Sequence, residues 1–264
     1  MTLSGGKKYE FQAELFVRSL ELYGNTPFCL TICQNPEDKL ENPYLLKRAE
    51  VITHNYTFDP KWYGGLASCP QKGDVTIYTD TDMLVLDDLK QITEPAIKSV
   101  CGVIAYQSPF SNRTGWERLF DGCGVPLPKL ACTANYDKKK VPYYFNLGFV
   151  AMPSEWTKDL NGAMAEYLNL SDKVMKGHYH RPQFALCLAL AALKFPCHEL
   201  PVQCNCPDLY GDIEGSEDMI VAHLLRTKSK VESWKDLNEP DSPNTKIMNR
   251  ILDKMRFISK MRAI

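Results

Sequence analysis

The residues best suited to chemistry are two carboxylates one residue apart, Asp80 and Asp82, within VTIYTDTDMLVLDDL, Val75 to Leu89. The β-branched and aromatic run VTIYT before them predicts a buried strand that ends where the pair begins. Alternate side chains of extended chain share a face, so both carboxylates can converge on one cation. In open α/β sheets ligand sites lie beyond the carboxyl ends of strands, which is where this pair falls. A divalent ion held there acts as a Lewis acid and neutralises charge developing on a leaving group such as a diphosphate. The competing reading makes both aspartates turn or capping residues, since a lone Asp-x-Asp is common by chance. The apolar runs on both sides favour the metal. Asp87 and Asp88 are assigned to a turn, or to the cap of a helix starting near Leu89.

Three further places carry candidate residues. Asn146 and Gly148 interrupt the strand-like run YYFNLGFVAM, and a β-bulge would account for them equally. Gln183 follows Pro182 at the opening of an apolar helical run, where a first-turn residue is also at home. His223 ends the late apolar run of MIVAHLL, and a structural histidine is its competing reading. If His223 joins the two aspartates, the mixed nitrogen and oxygen set suits Mn²⁺ somewhat better than Mg²⁺. Cys197, His198, Cys204 and Cys206 are too irregularly spaced for paired zinc knuckles, so packing is the preferred reading there.

The elements that must position these residues follow from periodicity. Helical spacing predicts a helix over Glu10 to Tyr23, stopped by Gly24 and Asn25, and a short one over Leu45 to Glu50. Strands are predicted over Phe28 to Cys33, Val51 to His54, Asp74 to Thr79, Ser99 to Tyr106 and Tyr143 to Met152, with short ones at Leu200 to Gln203 and Met219 to Ala222. Glu155 to Leu168 and Arg181 to Leu193 read as helices, the second apolar enough (FALCLALAAL) to be mostly buried. Gln107 to Pro142 is polar and punctuated by Gly and Pro, and it reads as a long functional loop, a lid or a substrate-binding insert. Alternating strands and helices predict a single α/β domain with a mixed, mostly parallel sheet sandwiched by helices.

Asn244 to Ile264 is a basic amphipathic helix set off by Pro240 and Pro243, which divides the chain into a body, 1–239, and a tail, 240–264. Its apolar stripe is Ile247, Ile251, Met255, Ile258 and Met261, and its basic residues are Lys246, Arg250, Lys254, Arg256, Lys260 and Arg262. Such a helix either lies in a lipid interface, giving a peripheral membrane contact through 244–264, or packs on the domain.

A formal net charge of −1 over 264 residues argues against whole-surface nucleic-acid binding. No apolar stretch reaches membrane-spanning length. Met1 to Tyr9 lacks the apolar core of a secretory signal. The 10 scattered cysteines read as buried thiols of a reducing cytoplasm.

In this combination the chain resembles the GT-A glycosyltransferases, particularly the retaining glycogenin-like group. Four elements carry the resemblance, in order: Asp80-Thr81-Asp82, the Asn146-x-Gly148 strand, Gln183 on a buried helix, and His223. An acidic residue usual before the glutamine is replaced by Pro182. The Gly and Lys usual after the histidine are missing, with Arg226, Lys228 and Lys230 as candidate substitutes. Of the first strand usual before the nucleotide-binding loop the sequence offers Met1 to Leu3 before Ser4-Gly5-Gly6, either a strand that short or one whose start is trimmed away. The resemblance implies transfer of a hexosyl group from a UDP- or GDP-sugar to an acceptor hydroxyl on a carbohydrate, glycolipid or protein. It implies that Asp80 holds ribose and metal, and that Asp82 and His223 ligate Mn²⁺ or Mg²⁺. Thr81 and Gly148 are then part of the donor site, while Asn146 and Gln183 shape the pocket where transfer occurs. Two rivals remain: a haloacid-dehalogenase-like phosphatase, which wants Thr or Val where Leu84 stands, and a catalytically silent sugar-binding module of the same fold.

Overall fold

Apolar side chains at three- and four-residue spacing make Lys7–Tyr23 the first helix, α1, whose middle is buried on nearly every side, Phe11, Leu15, Phe16 and Leu20 among the buried residues. It ends where foreseen. Gly24 N–H bonds the Leu20 carbonyl at 2.9 Å, a Cβ on Gly24 would sit 2.7 Å from that oxygen, and Asn25 follows at φ 47°. These features come from a computed structural model, which describes residues 2–3, 7–34, 39–53, 72–176, 178, 180–209, 218–225, 227, 231–233 and 246–262.

The chain divides into two compact units. The first comprises Met1–Thr57, Thr79–Gln91 and Pro201–Ile264. Here β1 (Thr2–Leu3), β2 (Leu30–Gln34) and β3 (Ala49–Thr53) form a parallel sheet in that order. The helix expected over Leu45 to Glu50 is instead α2 (Pro43–Leu46), because the Asn42 side chain caps it by accepting from Tyr44 N and Leu45 N. Ala49 and Glu50 go to β3. A second sheet contains β5 (Met83–Val85), β11 (Cys206–Pro207) and β12 (Val221–His223) in the order β11-β12-β5, with β12 antiparallel to β5. Leu200 to Gln203, expected as a strand, instead enters a 3₁₀ turn at Val202–Asn205. Asp88 Oδ1 accepts from Lys90 N at 2.8 Å, so it caps α3 (Lys90–Ala96) as the sequence suggested.

The C-terminal helix of this unit, α7 (Lys246–Arg262), buries Ile251, Leu252, Met255 and Ile258 in one cluster with Phe11, Leu15, Leu84, Leu86, Ala222 and Leu224. The stripe, for which lipid and protein were both open, faces protein at Ile251, Met255 and Ile258, while Met261 at its end is exposed. Hydrophobic burial against α1 and the sheet decides between the two readings. The side chain of Ile247 and the division at 239/240 lie outside the described residues.

The second unit comprises Phe58–Tyr78 and Ile92–Leu200. Its sheet runs β10-β6-β9-β4, built from β4 (Val75–Thr79), β6 (Val100–Ile104), β9 (Phe145–Pro153) and β10 (Cys197–Leu200). β10 is parallel to β6 and β9 antiparallel to it, so the α/β architecture is mixed. Against it pack α4 (Arg113–Gly122), α5 (Thr157–Val174) and α6 (Arg181–Leu193), around Trp116, Phe120, Tyr144, Phe145 and Phe184.

α4 corrects the reading of Gln107 to Pro142 as a loop without secondary structure of its own. Asn112 Oδ1 accepts from Gly115 N, and Trp116, Leu119 and Phe120 are buried at helical spacing. A hairpin of β7 (Cys132–Thr133) and β8 (Lys140–Val141) fills more of the segment. Burial of three large apolar side chains outweighs the Gly and Pro punctuation around them.

Candidate active site

Asp80 and Asp82 stand between β4 and β5, and Asp82 is buried. Strand pairing brings His223 to them, because Met83, the residue after Asp82, is the register partner of His223. Leu224 N–H then donates to the Asp82 carbonyl at 2.8 Å, extending the ladder by one step. His223 Nε2 lies 3.6 Å from Asp82 Oδ1. One ligand atom each from Asp80, Asp82 and His223 can be chosen so that all lie within 4.8 Å of one another. At metal bonds of about 2.0–2.2 Å, two ligands of one ion stand at most about 4.4 Å apart, so a small inward shift of side chains suffices. Two hard carboxylate oxygens and one imidazole make a donor set that fits Mn²⁺ or Mg²⁺. Among the described residues this is the one group of three or more such side chains close enough to share an ion.

Several residues that support the motif gave no signal in sequence. Thr81 Oγ1 donates to Oε1 of buried Gln12 on α1 at 3.4 Å. Ser19 Oγ accepts Val85 N–H at 2.9 Å, so α1 holds β5 as well. Asp208 N–H donates to the His223 carbonyl, and Asp208 Oδ2 accepts Thr227 N–H at 2.7 Å. Asn205 faces His223 Nδ1 at 3.2 Å. None is close in sequence to what it supports, so no local pattern could reveal it. Arg226, Lys228 and Lys230 lie outside the described residues, as do Ser4, Gly5 and Gly6.

Asn146, Gly148 and Gln183 belong to the second unit, and there the structure brings them together. From Gly102 to Ile104 on β6 is two residues, whereas their partners Val150 and Phe145 on β9 are five apart. The extra residues form a bulge that contains Asn146 and Gly148. Asn146 Oδ1 accepts Gly148 N–H at 2.8 Å, which closes the bulge. Gly102 is required opposite, since a Cβ there would meet Phe145 Cγ at 2.7 Å. Gln183 Nε2 donates to the Phe145 carbonyl at 3.2 Å, one residue before Asn146. Its Oε1 is 2.8 Å from His180 Nδ1. His178, whose Nδ1 accepts His180 N–H, has its pKa lowered by burial and then by His180. His180 therefore takes one side of the Gln183 amide and the Phe145 carbonyl the other.

Among the described residues no cysteine joins the group that could share an ion. Cys204 and Cys206 are buried in the first unit, while Cys197 belongs to β10 of the second. Burial, with Asp208 adding, pushes the Cys206 thiol up to about 12.

Glycosyltransferases are among the solved structures that this fold resembles. LgtC galactosyltransferase in complex with donor and acceptor sugar analogs superposes with a TM-score of 0.57 at 12% identity, over 98% of this chain and 95% of that one. An active-site mutant of LgtC gives 0.54 at 13% identity, over 85% and 86% of the two chains. Mouse xyloside xylosyltransferase 1 in its apo form gives 0.51 at 13% identity, over 86% and 97%. No curated protein sequence matches the chain. The fold is GT-A, the nucleotide-sugar transferase architecture, which sets aside the phosphatase alternative. Residues 3–193 match the model of the Rhodobacterales glycosyltransferase domain, and the chain belongs to that family. It is a glycosyltransferase. Asp80, Asp82, Asn146, Gly148 and Gln183 lie inside the matched span, and His223 lies beyond it.

Proposed function

We propose that the protein transfers a hexosyl group from a UDP- or GDP-sugar to an acceptor hydroxyl on a carbohydrate, glycolipid or protein, with retention at the anomeric carbon. The observation that carries this reading is the convergence of Asp80, Asp82 and His223 within 4.8 Å. Asp80, Asp82 and His223 would hold Mn²⁺ or Mg²⁺, which supplies Lewis-acid neutralisation of the departing diphosphate. Asp80, partly exposed, would meet the ribose as well, and Thr81, between the two ligands, bonds Gln12. Asn146, Gly148 and Gln183 are assigned to the sugar pocket. The His180 and Phe145 contacts orient the Gln183 amide before substrate arrives, so little reorganisation is needed there. LgtC has been crystallised in complex with donor and acceptor sugar analogs, which supports looking for both substrates here. Residues 1–239 are taken as the catalytic body, with α7 packed on it, acting in the cytoplasm.

A panel of UDP- and GDP-sugars screened for thermal stabilisation, with and without Mn²⁺, tests the reading. The matching donor at a hundredfold excess over Kd raises stability by about 2.7 kcal/mol in the presence of Mn²⁺. Stabilisation by no member of the panel, or equal stabilisation in EDTA, refutes it.

A further inference from the structure

The buried polar side chains of the first unit include one that addresses the far side of the His223 ring. Asn205 is the last residue of the 3₁₀ turn Val202–Asn205 and is 3% exposed. Its Oδ1 stands 3.2 Å from His223 Nδ1, across 18 residues of sequence. The opposite ring nitrogen, Nε2, is the one 3.6 Å from Asp82 Oδ1. An amide oxygen only accepts, so this contact requires the proton on Nδ1. A neutral ring with its proton on Nδ1 keeps a lone pair on Nε2, the nitrogen beside the Asp82 carboxylate. A donating group in the same place would move the proton to Nε2 and remove that lone pair from the site.

We propose that Asn205 is a positioning residue for the cation site: its carbonyl oxygen fixes the tautomer and the tilt of His223. The inference rests on the metal reading given above. The position is well built for the task, since β11 (Cys206–Pro207) follows Asn205 directly and pairs with β12, Pro207 opposite His223. The amide is thus held by the same strand pair that carries the imidazole. Such partners of ligating histidines typically contribute ten- to hundredfold in metal affinity.

Mn²⁺ titration of the full chain, followed by electron paramagnetic resonance, reads the effect without any catalytic assay. Asn205→Leu is expected to raise the Mn²⁺ Kd by about ten- to hundredfold. Asn205→Asp, which still only accepts, is expected to stay near wild type. Thermal unfolding of the metal-free variants reports separately on packing. ¹⁵N NMR of wild type needs no variant at all and is expected to show His223 protonated at Nδ1. Wild type that binds no Mn²⁺ sinks the metal reading itself. Wild type that binds Mn²⁺ while Asn205→Leu binds equally well, or a ring protonated at Nε2, overturns the role of Asn205 alone.

Discussion

His223 and Asp82 meet twice, through the 3.6 Å approach of Nε2 to Oδ1 and through the Leu224 N–H bond to the Asp82 carbonyl. The second contact explains the first. Antiparallel pairing of β12 with β5 places the histidine beside the end of the Asp-Thr-Asp segment, and buried Leu84, Val85, Val221 and Ala222 keep that register. A slip of one residue would turn the imidazole to the opposite face, so the ion site depends on how the whole strand pair is packed.

Gln183 should matter to turnover more than to metal binding. Its amide is held by His180 and the Phe145 carbonyl in the unit that does not contain the ion ligands. Gln183→Ala is expected to lower kcat by about a hundredfold, the scale of losing one well-oriented group, with Mn²⁺ affinity unchanged. Steady-state kinetics beside Mn²⁺ titration checks both halves. An unchanged kcat removes Gln183 from the pocket.

Trp116 should be a residue of stability. It is buried against Phe110, Phe120 and Tyr144, with ring centroids 4.9, 6.5 and 5.3 Å away. Trp116→Ala is expected to cost about 3–5 kcal/mol in chemical denaturation. Proteolysis between Gln107 and Pro142 should be indifferent to donor and metal. Strong protection by donor would restore the lid.

The C-terminal helix should be needed for folding of the first unit. Ile258 is fully buried with Ile251 and Met255, and Ile258→Ala is expected to cost about 2–5 kcal/mol. Truncation after Ser242 should expose that cluster and broaden the unfolding transition. A truncated protein as stable as the full chain, or full-chain binding to anionic vesicles that the truncation abolishes, would favour an independent tail.

Most of the secondary structure was readable because period and punctuation agreed, as in α1 with its Gly24 stop and α6 with its apolar run. The Asp-Thr-Asp site was readable for the same reason, a β-branched strand ending in paired acids. α4 was missed because Gly, Pro and Lys around it masked the spacing of Trp116, Leu119 and Phe120. The amphipathic pattern of α7 was read correctly, but amphipathicity alone does not say whether the apolar side meets lipid or protein. Gln12, Asn205 and Asp208 were invisible, since each acts on a residue distant in sequence and only the folded chain joins them.

Alkaline pH should destabilise the protein through its thiols. Burial pushes Cys101, Cys132, Cys197 and Cys206 up to about 12, above the unfolded value of about 8.5. The folded state therefore binds more protons, and the stability from these groups is fully present below about pH 8.5 and lost as pH rises toward 12. Denaturation followed from pH 8 to 11 should show the decline. Alkylation of native protein at pH 8 should modify exposed Cys29 and spare these four. Rapid labelling of Cys132 or Cys206 would contradict the packing.

Turnover of the matching nucleotide sugar in excess Mn²⁺ and in excess EDTA, for wild type and Asp82→Asn, tests the ion site most directly. Asp82→Asn removes a ligand charge at a strand end while its backbone bond from Leu224 remains available, so the variant should fold. The account predicts activity with Mn²⁺, loss of it in EDTA with recovery on adding Mn²⁺, and a variant slowed by at least about a hundredfold. Full activity of wild type in EDTA, or of a folded Asp82→Asn variant in either condition, would contradict it.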